Sequence, residues 1–122
     1  MVDWWGVGVL IHEMVVGQAP WNDLSNARIM SMIVHSEFMP RDWLPKKLQD
    51  LLRRLLEKDP ESRLGAAGLG GLESIQRHPF FADVDWQAVY DKTWMKPPLK
   101  IKVKNIWDTK NIDGIFLNED LK

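Results

Sequence analysis

The third predicted helix has the clearest hydrophobic pattern in the chain. Its apolar side chains recur at intervals of three and four residues, which places them on one face of an α-helix. The residues of this face are Leu48, Leu51, Leu52, Leu55 and Leu56. We expect the helix to begin with Pro45 as its first residue and to end near Lys58, before Pro60. Basic residues decorate its other side.

The first predicted helix differs because it is apolar on almost every side. We expect Asp3 to be its N-cap and Gly17 to follow its C-terminal end, which gives a helix of about fourteen residues. Gly6 and Gly8 within it allow another backbone to approach closely. A helix with this pattern has to be buried by other structure.

Shorter elements complete a mainly α fold. A second helix is expected from a cap at Ser25 or Asn26 to about Ser36. Four glycines in residues 65–71 predict a flexible connection, and short helices are expected over 73–77 and 85–91. Beyond Trp94, isolated apolar residues among polar ones predict an extended, largely irregular tail that lies on another surface.

Composition narrows the classes of function. The 122 residues carry a formal net charge of −1, which gives no support for binding nucleic acid or an anionic membrane. The absence of cysteine excludes disulfides and thiolate catalysis. The apolar stretch 7–16 is too short for a bilayer and follows no basic segment of a signal peptide. We expect no transmembrane segment and an intracellular, cytoplasmic protein.

Few residues form a pattern that predicts catalysis or metal binding. His12 and Glu13 begin like the zinc-protease motif, but its second histidine would have to stand at Val16. His35 and His78 lack ligand spacing and are expected at the surface or as caps. The motifs that hold ATP and magnesium in a kinase are absent from the sequence. We predict no catalytic residue and no metal site.

Three blocks in order along the chain carry a resemblance to a known family. They are Val2-Asp3-Trp4-Trp5, the segment from Leu55 to Gly65, and Ile75-Gln76-Arg77-His78-Pro79-Phe80-Phe81. In these blocks the chain resembles the AGC group of serine/threonine protein kinases. The resemblance implies a partial helical C-lobe of the kinase domain over 1–81 and the start of the AGC-kinase C-terminal extension over 82–122. The kinase N-lobe and catalytic loop are then expected partners in cis.

The resemblance also implies roles for single residues. Asp3, Trp5 and Arg63 match positions that support the catalytic loop and the activation segment, and capping alone is the other role open to Asp3. Arg63 would lack its family glutamate here, and a buried guanidinium without a partner is destabilising unless it turns to solvent.

Three further matches lie on the first helix. Leu10 and Met14 match apolar positions beneath the catalytic loop and the nucleotide, although a plain core role fits them equally. Glu13 matches a glutamate that binds a substrate arginine, since a carboxylate suits a guanidinium. A solvated helix glutamate is the alternative.

In the tail, Ile112 and Asp113 match a stretch that contacts the nucleotide pocket, with isoleucine in place of the family phenylalanine. The resemblance implies ATP and Mg²⁺ for the parent kinase, and none for this chain alone. It also implies protein substrates with basic residues near the target serine or threonine.

Three functions are therefore weighed. The first is a C-terminal fragment of an AGC serine/threonine kinase, inactive alone because the catalytic motifs are lacking. The second is a non-catalytic, kinase-derived helical interaction module that docks its first helix or tail on a partner. The third is a nucleic-acid binder using the basic face of residues 46–58, which the near-zero net charge opposes.

Overall fold

A computed structural model of the chain describes residues 2–96, 105, 107–110 and 112. These residues form helices and turns without a strand, which confirms the mainly α prediction. The five helices are α1 (Val2–Val16), α2 (Asn26–His35), α3 (Lys46–Leu55), α4 (Leu72–Gln76) and α5 (Trp86–Tyr90). Two 3₁₀ turns cover Ala67–Leu69 and Pro79–Phe81. The chain divides into two compact units after Trp86.

The core of the first unit is built around α3. Leu51, Leu52 and Leu55 are completely inaccessible to solvent, as the three- and four-residue spacing predicted. Helix α1 crosses α3 at Gly8, where an added methyl group would lie 3.0 Å from side-chain atoms of Leu55 and Leu56. A glycine at this position therefore sets how closely the two helices approach.

The ends of α3 differ from the prediction. Pro45 is the N-cap rather than the first helical residue, and the helix ends at Leu55 instead of near Lys58. The backbone N–H of Leu64 donates to the carbonyl oxygen of Arg54 over 3.1 Å. The segment after the helix thus donates a hydrogen bond to a carbonyl group of the last helical turn. A tertiary contact takes the place that a further helical residue would have had.

The first helix begins differently from the prediction, whereas the second begins after Ser25 as predicted. Asp3 lies inside the first turn of α1 and is not the N-cap. Its negative charge interacts favourably with the helix dipole. Ser25 is the N-cap of α2 but makes no side-chain cap bond. Gly17 does end α1 as predicted, with φ of 87° and its N–H bonded to the Glu13 carbonyl at 2.9 Å.

The glycine-rich connection is a turn closed by hydrogen bonds, whereas a flexible connection was predicted. The Ala66 carbonyl accepts hydrogen bonds from the N–H groups of Leu69 and Gly71. The Ser74 hydroxyl accepts from the Gly65 N–H and donates to the Gly71 carbonyl, closing the turn onto α4. Gly65, Gly70 and Gly71 adopt positive φ, a backbone conformation that glycine adopts readily.

In the second unit, the chain leaves α5 through Lys92, which has a φ of 60°. The backbone and hydroxyl of Thr93 both bond to the Ala88 carbonyl. Among the later described residues, the Ile112 N–H donates to the Thr109 carbonyl, and Trp107 is exposed. The predictions for Asp113 and for the extended segment 97–104 fall outside the described residues.

Candidate functional site

One face of α1 has no covering structure among the described residues. Leu10 is 55% exposed, Met14 is 69% exposed, and Glu13 between them is exposed as well. The spacings of three and four residues bring these side chains together on one side of the helix. Leu10 and Met14 therefore lie outside the core of this chain. The face combines an apolar floor with a carboxylate that can accept hydrogen bonds from a cation.

The opposite side of α1 is fixed by His12, which is 3% exposed. Its Nδ1 lies 2.7 Å from the Gln18 carbonyl oxygen, and because a carbonyl only accepts, Nδ1 carries the hydrogen. The ring meets Phe38 edge-on with centroids 5.6 Å apart. His12 thus anchors the loop after α1 and keeps Glu13, its neighbour, on the outer face. The failed zinc motif gave no indication of this role.

Arg63 corrects an expectation, because its guanidinium is buried and hydrogen-bonded to backbone carbonyls. Its Nε donates to the Glu57 carbonyl at 2.8 Å, and an Nη donates to the Lys58 carbonyl at 3.2 Å. The guanidinium carbon lies 5.1 Å from the ring centroid of Trp5. Backbone carbonyls in the segment after α3 thus give the buried cation hydrogen-bond partners, which the sequence analysis did not foresee. Trp5 and Arg63 therefore lie together, and their shared supporting role stays a prediction.

Lys58 lies beside a stacked tryptophan pair and was missed by the sequence analysis. The rings of Trp5 and Trp21 are parallel within 2° and their centroids are 5.2 Å apart. Lys58 Nζ lies 4.8 Å from the Trp21 centroid and donates to the Ile33 carbonyl near the end of α2. The contact spans 25 residues of sequence, so no local pattern announces it.

An open groove of about 330 Å³ runs between α2 and this cluster. Its lining residues are Trp5, Ile33, Val34, Lys58 and Arg63. Apolar walls and two cationic side chains are suited to a chain segment that combines a carboxylate with apolar residues. This groove and the outer face of α1 contain the predicted site residues Trp5, Arg63, Leu10, Glu13 and Met14.

A second buried histidine joins α3 to the Pro79–Phe81 turn. His78 is 5% exposed, its Nε2 donates to Asp50 over 2.7 Å, and its Nδ1 accepts the Phe80 N–H. Of the two predicted roles for His78, surface residue or cap, the structure confirms the cap. The His78 hydrogen bond is the main cause that lowers the pKa of Asp50 below its ordinary value, with Arg54 adding to it.

Two other predicted site residues are described, one in each unit. Asp3 is exposed on the first turn of α1, and Ile112 is 48% exposed in the second unit. No group of three or more histidine, aspartate or glutamate side chains in the described ranges is placed to hold a metal ion. The helices described in this chain are also too short or too polar to cross a bilayer.

Comparison with known proteins connects this architecture to a family. The protein kinase domain matches residues 1–81. The chain is 39% identical to a protein kinase C of Drosophila melanogaster over 119 residues, which cover 98% of the chain and 16% of that protein. It is 40% identical to mouse protein kinase C delta type over 97% of the chain and 17% of the relative. Rat protein kinase C epsilon type is 37% identical over 98% of the chain and 16% of the relative.

The chain belongs to the protein kinase family, and within it to the AGC group of serine/threonine kinases. The predicted resemblance is therefore confirmed. The chain spans about a sixth of the length of these relatives, according to the shares just given.

Proposed function

We propose that this chain supplies the C-terminal part of a kinase large lobe over 1–81 and the start of an AGC-type extension over 82–122. The parent enzyme transfers the γ-phosphoryl group of ATP, with Mg²⁺, to serine or threonine near basic residues. Its location is intracellular and cytoplasmic. The observation that carries this proposal is the exposed face of α1 in a domain of the kinase family.

The composition of that face supports a role in a larger domain. Leu10 and Met14 offer an apolar surface whose burial is worth roughly 1.5 to 3 kcal/mol for each side chain. In the parent they lie beneath the catalytic loop and the nucleotide, while Asp3 holds the backbone of that loop. Asp3 lies in the first turn of α1 and is not its N-cap, which suits this role.

The second supported surface is the groove beside Arg63. Its guanidinium is already held by two carbonyl groups and by Trp5, so it is oriented before any partner arrives. In the parent it meets the glutamate at the end of the activation segment. Orientation in advance lowers the entropy cost of forming that ion pair. In the tail, Ile112 and Asp113 are proposed to reach the nucleotide pocket.

Glu13 carries the proposed preference for basic substrates. Its carboxylate lies on the exposed face of α1 and can receive two N–H groups of an arginine side chain. Bound ATP supplies the phosphoryl group that is transferred, whereas Glu13 binds and orients the peptide. Positioning of this kind is a large part of phosphoryl-transfer catalysis.

A fusion protein tests the family role. The chain replaces the corresponding segment of mouse protein kinase C delta type, and phosphate transfer to an arginine-containing peptide is measured. We expect activity from the fusion and none from the chain alone, because the latter lacks the groups that hold ATP. Turnover by the purified chain would contradict the proposal. A folded fusion that binds ATP but transfers no phosphate would favour the non-catalytic interaction module.

Substitution Glu13→Gln in the active fusion tests the substrate contact. We expect kcat/KM for the arginine peptide to fall by about 1.5 to 3 kcal/mol, because the amide keeps the shape and loses the charge. A peptide without that arginine should lose much less. The exposed Glu61→Gln variant is the matched control. Zero coupling between Glu13 and the peptide arginine in a double-mutant cycle would return Glu13 to a solvated helix position.

A further inference from the structure

A stripe of polar residues runs along the outer edge of α2. Arg28, Ser31 and His35 are spaced by three and four residues, which places them in line on one side of the helix, and all three are exposed. The Arg28 side chain is 76% exposed and lies 3.7 Å from Asp23, a loose ion pair at the surface. Its guanidinium can therefore leave that contact at little cost.

Ser31 also has a distinctive sequence setting. Of all the serines and threonines in the chain, it alone has an arginine or lysine three residues before it. A guanidinium at this distance is a handle for kinases that select basic substrates, since it can form paired hydrogen bonds with carboxylates. Ser36, at the end of the same helix, has Ile33 at the equivalent position.

Access to Ser31 requires α2 to open, because a modifying enzyme binds its target segment in an extended form. All ten residues of α2 are described, and none of them is buried. Its N-cap Ser25 makes no side-chain bond, and Lys58 ties it to the core through the Ile33 carbonyl. Helices with few buried contacts open locally at low free-energy cost.

We propose that Ser31 is a phosphorylation site for an arginine-directed serine/threonine kinase, with Arg28 as the recognised residue. The Ser31 oxygen forms a bond to the γ-phosphorus of ATP while the bond from that phosphorus to the β–γ bridging oxygen breaks. ADP leaves with the bonding electron pair, and the hydroxyl proton passes to a base of the modifying enzyme. The inference goes beyond the proposed function and is independent of it, because another enzyme performs the transfer.

The stripe also stabilises the product. A phosphate on Ser31 has Arg28 one turn before it and His35 one turn after it, and both can donate hydrogen bonds to its oxygens. The added charge of about −1.5 to −2 lies next to Met30 and Val34, which are 67% and 63% exposed. Modification thus converts an apolar edge of α2 into an anionic one.

The experiment treats the folded 122-residue chain with Mg-ATP and a purified kinase chosen for its preference for arginine three residues before the target in synthetic peptides. Mass spectrometry of the intact chain and its peptides locates the phosphate. We expect one phosphate on Ser31, none in Ser31→Ala, and an unchanged rate in the matched Ser36→Ala control. Arg28→Gln should reduce the rate by about tenfold or more, since it removes a charge-assisted contact.

Other outcomes would overturn the assignment. These are phosphate on Ser25 or Ser36 in place of Ser31, an Arg28→Gln rate equal to the wild-type rate, or modification of Ser31 only in urea. Hydrogen exchange of α2 gives a second measurement. Phosphorylated chain should protect α2 more than unmodified chain does, and the Arg28→Gln variant should lose that gain. An equal gain in both would show that the stripe does not hold the phosphate.

Discussion

Helices α1 and α3 pack against each other, yet they use their apolar residues differently. Helix α3 buries its leucines on one face and keeps charged residues on the other. Helix α1 buries only the side toward α3 and leaves Leu10 and Met14 exposed on the far side. A helix with one apolar face is satisfied by one neighbour, whereas a helix apolar all round needs two. The second neighbour of α1 is what the proposed kinase role supplies.

The largest expected effect compares a core position with the exposed face. Leu52→Ala should lower the free energy of unfolding by about 2 to 5 kcal/mol, because Leu52 is fully buried and its removal leaves a cavity. Met14→Ala should change it by less than about 0.5 kcal/mol. Urea denaturation followed by circular dichroism measures both. Equal losses in the two variants would show that α1 is buried on both sides.

A pair of glycines sharpens the comparison within α1. Alanine at Gly6 meets no atom within 4 Å and should stabilise the helix by up to about 1 kcal/mol. Alanine at Gly8 presses on Leu55 and Leu56, and overpacking of this kind costs about 1 to 3 kcal/mol. We expect thermal melting to rank Gly6→Ala above wild type and Gly8→Ala below it. The opposite order would mean that α1 does not cross α3 at Gly8.

The polar side of α3 is tested through Asp50. Because its folded pKa is below the ordinary value of 3.8, Asp50 contributes stability above the unfolded pKa, and this is lost as pH falls through the folded pKa. Asp50→Asn should therefore lose less stability than wild type between about pH 5 and pH 2.5. The carboxylate is 43% exposed, so the difference should be below about 1 kcal/mol. The exposed Asp42→Asn should follow wild type, and an Asp50→Asn curve parallel to wild type would refute the effect.

The smallest effect on stability belongs to the outer face itself. Replacing Leu10 and Met14 together by glutamine should reduce binding of a hydrophobic dye by about half or more, because they form an exposed apolar patch. The unfolding free energy should shift by less than about 0.5 kcal/mol for each substitution. The fully exposed Leu24→Gln serves as the control. Wild-type chain that binds no dye would argue for a self-sufficient module.

The elements that sequence analysis predicted well are those decided by local chemistry. The leucines of α3 lie on one face, so their spacing alone predicts which side of the helix is buried. Gly17 ends α1 because its own φ is positive. Glu13, Leu10 and Met14 were grouped by a family resemblance together with helical spacing. Their roles in the parent enzyme stay predictions.

The features that sequence analysis missed depend on residues that are distant along the chain. Arg63 is hydrogen-bonded to carbonyl groups of the segment that follows α3, and the neighbouring Leu64 N–H occupies a carbonyl of the last turn of that helix. His78 is hydrogen-bonded to Asp50, which is 28 residues away in the sequence, and Lys58 donates to the carbonyl of Ile33, which is 25 residues away. Asp3 is not a cap because α1 already includes it, whereas Ser25 is the predicted N-cap of α2 but makes no side-chain cap hydrogen bond.

The crossing of α1 over α3 at Gly8 has a consequence for biosynthesis. Its partner Leu55 follows 47 residues later (55 − 8), and ribosomes add about 5 to 20 residues per second. The leucine face that packs on α1 is therefore translated roughly 2 to 9 seconds after α1 itself. During that interval the side of α1 that faces α3 lacks its partner, which makes this side a target for chaperones.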